Sequence, residues 1–173
     1  MTAKAIIKKY KKYIVLCVCV ILSFALDMIT KSCFDNKHFS IIEGLIGIYS
    51  CYNTGAAFSS FSGYTTLLAI FSAILAIGLL IFYILIKNDS LLFQIGISLI
   101  LGGALGNLYD RVALGYVRDF INLEFVDFAV FNIADSCITL GIIAVSIYIL
   151  FLDGGGNKGT NNTKEGENNG NNG

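Results

Sequence analysis

The chain has 173 residues, 55% of them hydrophobic and only 14% charged, with a mean hydropathy of +0.73. Soluble domains carry about 25% charged residues, so this composition is that of a membrane protein. Twelve basic residues cancel twelve acidic ones, which removes any electrostatic reason to expect a nucleic-acid partner.

A membrane-spanning helix needs about 20 apolar residues. Four stretches meet or approach that length: 13–34, 64–86, 91–109 and 129–152. The stretch "AKAIIKKYKKY" before the first holds five lysines, and the positive-inside rule places it in the cytoplasm. Four spans then return the C-terminus to the cytoplasm and leave loops 35–63 and 110–128 outside. Lys87, in the turn "KNDS" between the second and third spans, agrees with this orientation. Lys31, Lys37, Arg111 and Arg118 fall on the outer side and oppose it, but the dense cluster flanking the first span outweighs them. A cleavable signal peptide over residues 1–30 is the competing reading, and it lacks the small-x-small cleavage pattern. The tail 153–173 is rich in Gly and Asn and is expected to be disordered. With no tryptophan in the chain, tyrosines are the available interface anchors.

The polar residues of the spans fall at one depth. Asp27 lies about 21 Å along the outward-running first helix at 1.5 Å per residue. Asn107 ends the third span, with Asp110 and Arg111 just beyond. Asp135, in "FNIADS", lies about 9 Å inside the outer end of the fourth span, with Asn132 one turn above it on nearly the same face. Asn53 and Asp119 belong to the outer loops. Convergence of so many polar groups from separate segments points to a shared site, because an intramembrane carboxylate is costly unless it serves a function.

The chemistry open to that site is narrow. His38 stands alone in a loop, and the five cysteines lack metal-ligand spacing; no metal or other cofactor is implied. Cys17, Cys19 and Cys137 read as small apolar fillers. Cys33 and Cys51 could meet as a disulfide on the oxidising outer side, although free thiols are the favoured expectation. There is no G-x-S-x-G and no HExxH. Aspartates remain, and two carboxylates in a low-dielectric site share one proton and can act as an acid–base pair. The residues alone leave open which two. A small transporter subunit conducting protons or cations through the Asp/Asn cluster is the alternative reading.

The motifs "DMITK" (27–31), "NTGAAFS" (53–59), "GGALGNLYDRVALGYVRDFI" (102–121) and "FNIADS" (131–136) resemble, in order and position, those of lipoprotein signal peptidase, also called signal peptidase II. The resemblance covers nearly the whole chain except the tail. It implies a catalytic pair of Asp119 and Asp135, site-supporting or substrate-binding roles for Asp27, Asn53, Asn107, Arg111 and Asn132, and structural roles for Asp110 and Lys31. It also implies an all-α membrane core of four helices with a small extracellular β-cradle between helices 1 and 2, for which residues 38–53 are the candidate. The implied substrates are diacylglyceryl-modified bacterial prolipoproteins, cut just before the lipidated cysteine by an enzyme of the cytoplasmic membrane whose site lies near the outer leaflet. The sequence does not fix the oligomeric state, for which a monomer is the expectation. Three positions depart from the family pattern: Met28 stands for a frequent glutamine, Arg118 for an apolar residue, and the proline common ahead of "FNIAD" is absent. Arg118, adjacent to Asp119, is expected to lower that aspartate's pKa.

"GGALG" contains Gly102-x-x-x-Gly106, the spacing that lets membrane helices approach closely.

Overall fold

The computed structural model describes residues 3–55 and 63–152. The 153–173 tail and the 56–59 end of the second motif lie outside the described residues. Four helices are long and apolar enough to cross a membrane: α1 (Ala3–Phe34), α2 (Thr65–Leu85), α3 (Leu91–Ala113) and α4 (Ile133–Ile147), the last continuing as a π-helical turn over Tyr148–Leu152. Helices are the outcome these sequences require, because hydrocarbon offers no partner to an unpaired backbone group. The second span matches its expected limits to within a residue at each end.

The third helix is the hub. Of its apolar stretch 56% is buried, against 11–17% for the other three, and α1, α2 and α4 all pack on it. Glycine makes the close approaches possible. A Cβ at Gly102 would strike Ser23, and one at Gly106 would strike Asp27, so the expected small-residue spacing is the seat of α1. Gly103, on the adjoining face, lies against the backbone carbonyl of Ala134, and Gly96 and Gly141 seat α3 and α4 on each other. The hairpin from α2 to α3 closes through polar groups. Asn88 Oδ1 accepts from Ser90 N at 2.8 Å, and Gln94 Nε2 donates to Asn88 O at 2.8 Å. Lys12 Nζ donates to Ile86 O at 2.6 Å and to Ile84 O at 3.1 Å, satisfying carbonyls that the end of α2 leaves open.

Three boundaries depart from the sequence reading. The first helix begins at Ala3, ten residues before 13. The third helix runs four residues past Tyr109 and takes in Asp110 and Arg111, because Asp110 is neutralised by Lys31 and Arg118. The fourth begins at Ile133, not 129, so Asn132 is its N-cap and Asp135 its third residue. Residues 129–132 instead stay outside the helix: Phe131 bridges Ile121, and Asn132 is extended.

A small sheet has three antiparallel strands in the order β1 (His38–Ile42), β2 (Ile46–Asn53) and β3 (Val117–Leu123). Residues 38–53 supply two of them, as expected. The third comes from the 110–128 loop, so the sheet unites that loop with the 35–63 loop. Its register sets Cys51 opposite Asp119 and Asn53 opposite Val117. Cys33 and Cys51 are free thiols.

Candidate active site

Asp119 and Asp135 arrive from different secondary structures and line one cavity of about 670 Å³ together with Asn53, Asn107 and Arg111. Asp119 is carried by β3. Alternation along the strand turns it inward with Val117, and it is 3% exposed. Asp135 is placed by a capping box at the start of α4. Asn132 Oδ1 accepts from Asp135 N at 2.9 Å, and Asp135 Oδ2 accepts from Asn132 N at 3.2 Å. This reciprocal arrangement satisfies two of the donors a helix start leaves open.

Three asparagines aim their amides at the two carboxylates. Asn53 Nδ2 donates to Asp119 Oδ2 at 3.0 Å, and Asn132 Nδ2 to Asp119 Oδ1 at 2.6 Å. Asn107 Nδ2 donates to Asp135 Oδ1 at 2.7 Å. Each donor leaves an oxygen lone pair free for a proton. The Asn53 amide is oriented locally, because its Oδ1 accepts from Gly55 N at 2.9 Å and so turns its NH2 toward Asp119.

Behind the asparagines lies a charged layer. Lys31 and Asp27 are fully buried and paired at 2.7 Å. Asp110 is also fully buried and pairs with Lys31 at 3.3 Å and with Arg118 at 2.8 Å. Two cations meet two carboxylates, which is how charge becomes tolerable at this depth. Asp27, Asp110 and Lys31 therefore stand behind the cavity, whereas Asn53, Asn107 and Asn132 touch the carboxylates that line it. Arg111 lines the cavity and reaches Gly55 O through Nη2 at 3.5 Å, the outer limit of a hydrogen bond.

Burial, then the charge of Asp135, pushes the pKa of Asp119 up to about 6 against the opposing pull of Asn53, Asn132 and Lys31. The expected lowering by Arg118 is not found. Side chains on successive strand residues point to opposite faces, and Arg118 is engaged with Asp110 through its backbone N, Nε and Nη2. The arrangement joins a protonatable, buried carboxyl to a second carboxyl within one cavity. That is the equipment for moving protons on opposite sides of a peptide bond.

Sequence reasoning did not single out Phe128, Phe131, Ser136 and Thr139, which also line the cavity. Phe131 has a backbone role as well: its carbonyl accepts from Phe120 N and Ile121 N, and its N–H donates to Ile121 O. These bonds hold the strand bearing Asp119 beside the helix bearing Asp135. No spacing rule marks such a residue, although its place inside "FNIADS" does.

The family model for signal peptidase (SPase) II matches residues 19–151. The lipoprotein signal peptidase of Lactobacillus gasseri is 40% identical over 126 residues, which cover 72% of this chain and 80% of the relative. That of Enterococcus faecalis is 37% identical over 131 residues, 75% of this chain and 79% of the relative. One from Staphylococcus aureus is 42% identical over 131 residues, 75% of this chain and 76% of the relative. A solved bacterial membrane enzyme, determined by the in meso method at 2.3 Å resolution, superposes with a TM-score of 0.74 at 35% identity, covering 86% of this chain and 94% of the other.

Proposed function

Because the chain belongs to the signal peptidase II family, we propose that it is an aspartic endopeptidase whose catalytic pair is Asp119 and Asp135. It is a multi-pass membrane protease that removes signal peptides from bacterial prolipoproteins. Its substrates carry diacylglycerol on the cysteine that follows the cleaved bond, and that cysteine becomes the new N-terminus. Nothing in these relationships supports a transporter.

The observation that carries the catalytic assignment is the meeting of Asp119 and Asp135 in one cavity, with amide donors on both and the Asp119 pKa raised to about 6. Two such carboxyls hold one proton between them, and Asp119 carries it. A water between the carboxyls loses a proton to Asp135 and attacks the scissile carbonyl carbon, while Asp119 protonates the carbonyl oxygen. The product is a neutral gem-diol. Asp135 then gives its proton to the amide nitrogen, a diol hydroxyl returns one to Asp119, and the C–N bond breaks to a carboxylic acid and the amine of the cysteine. Atoms and charge balance, and the pair is restored for the next turnover. Asn53, Asn107 and Asn132 hold the two carboxyls in place throughout, and Arg111 faces the substrate. The N- and C-termini lie in the cytoplasm and the site near the outer leaflet, where a diacylated substrate presents its bond.

Asp119→Asn and Asp135→Asn each remove one proton-transfer partner and are expected to lower turnover of a lipidated prolipoprotein by at least about 100-fold, with the folded membrane protein retained. Near-normal turnover by either variant would sink the pair.

A further inference from the structure

We propose that Lys31 is a positioning residue of the reaction: its ammonium fixes the Asn107 amide with the NH2 toward Asp135 and fastens both carboxylate-bearing segments to α1. This rests on the reading of Asp119 and Asp135 as the catalytic pair, and it assigns Lys31 a role beyond charge neutralisation.

The side chain of Lys31 is fully buried, and its ammonium faces three oxygen acceptors. Nζ donates a hydrogen bond to Asn107 Oδ1 at 3.0 Å and forms ion pairs with Asp27 Oδ2 at 2.7 Å and Asp110 Oδ2 at 3.3 Å. An ammonium donates only, so the Asn107 atom facing it must be the oxygen. The same oxygen accepts from Asn132 Nδ2 at 3.0 Å, and the NH2 is thereby left for Asp135 Oδ1. Flipping the amide would set NH2 against an ammonium and against another NH2, and would set a carbonyl oxygen against a carboxylate.

The other two partners act on the backbone. Asp27 Oδ1 accepts from Ala134 N at 2.9 Å, one residue before Asp135. Asp110 Oδ2 accepts from Arg118 N at 3.1 Å, one residue before Asp119. One buried cation thus connects, through one intermediary each, to the side chain of Asp135 and to the segments that deliver Asp135 and Asp119. Charge balance alone would not need the contact with Asn107, since Lys31 and Arg118 already offset Asp27 and Asp110.

The test compares Asp27→Asn with the double variant Lys31→Met/Asp27→Asn, both against a lipidated prolipoprotein. The double variant keeps the Arg118–Asp110 pair and a balanced charge layer, so it is expected to fold as the single variant does. It is expected to turn over about 100-fold more slowly than Asp27→Asn, the scale of a misaligned catalytic group, with KM changed less than about threefold. The groups facing Asp119 are Asp135 from α4, Cys51 from β2, Arg111 from α3 and Lys31 from α1. Removing the Lys31 charge, which lowers the Asp119 pKa, shifts the pH limb of turnover upward in the double variant alone. Equal kcat and equal pH profiles for the two variants would overturn the proposal, as would loss of the folded protein in the double variant, which would leave Lys31 a structural role only. Asp119→Asn run in the same assay separates the two readings. If it turns over substrate, the catalytic pair is wrong whatever Lys31 does.

Discussion

Asp119 holds its proton nearly to neutrality, and two consequences follow. The first is kinetic. The active form of a carboxyl pair carries one proton, so kcat/KM is expected to fall as pH rises through about 6, the value to which Asp119 is pushed. A pH profile on the free enzyme checks this, and a flat profile from pH 5 to 8 would contradict it. The second concerns stability. A carboxyl whose folded pKa lies above its unfolded value favours the fold below the unfolded value and loses that contribution as pH rises through the folded one. Between 3.8 and about 6 the ionisation of Asp119 therefore becomes a cost, of up to about 3 kcal/mol at 1.4 kcal/mol per pH unit. Asp119→Asn, which stays neutral, is expected to melt higher than the parent at pH 7.5 and at about the same temperature at pH 4. Thermal unfolding in detergent at the two pH values reads the difference. The amide donors on Asp119 reduce the gain, because an Asn there offers them one acceptor oxygen in place of two.

At the scale of elements, α3 is the part on which placement of the candidate pair depends. Gly103 admits no side chain, because its Cβ would meet the backbone carbonyl of Ala134, and backbone cannot yield as a flexible side chain can. Gly103→Leu is expected to pry α4 from α3, displace Asp135, and destabilise the protein by about 1–3 kcal/mol. Gly78→Leu in α2, where nothing among the described residues lies within 4 Å, is expected to be neutral. Equal melting temperatures for the two variants would contradict the packing described. Much of this architecture was legible in the sequence. Four apolar runs gave four helices because a membrane leaves the backbone no other solution, and Gly102 and Gly106 announced a close contact by their spacing. Gly103, Gly96 and Gly141 were silent, because what they accommodate lies on another helix. The β3 strand was hidden for the same reason: "VRDFINL" pairs with a strand more than sixty residues earlier. The end of the third helix was misread because Asp110 and Arg111 look like a boundary until their buried partners are known. The asparagines and aspartates were found by depth and motif, but the offset of Asn132 and Asp135 from helix to cap required the bridge from Phe131 to Ile121.

Taken whole, the molecule explains why two basic residues that the proposed orientation places on the outer side do not argue against it. Lys31 is buried against Asp27 and Asp110, and Arg118 is held by Asp110, so both are internal counter-ions and not topogenic surface charges. With the lysine-rich start inside, a cysteine placed at Gly63, an exposed position before α2, is expected to react from outside with a membrane-impermeant thiol reagent. A cysteine at Asp89, exposed in the α2–α3 turn, is expected to be protected until the membrane is opened. The native cysteines are replaced beforehand. Labelling in the opposite sense would invert the protein and remove the site from the leaflet where it is proposed to work.

The most direct measurement is cleavage of a prolipoprotein by the purified protein, with and without diacylglycerol on the lipobox cysteine, followed by mass analysis of the product. Two acyl chains partition into the bilayer at about 0.8 kcal/mol per buried methylene and hold the scissile bond at one height, which restricts its orientation toward Asp119 and Asp135. The lipidated substrate is expected to lose its signal peptide and yield a chain that begins at the modified cysteine, with the unmodified form cut at least about 100-fold more slowly. Equal rates for the two forms, or a product beginning at any other residue, would contradict the assignment.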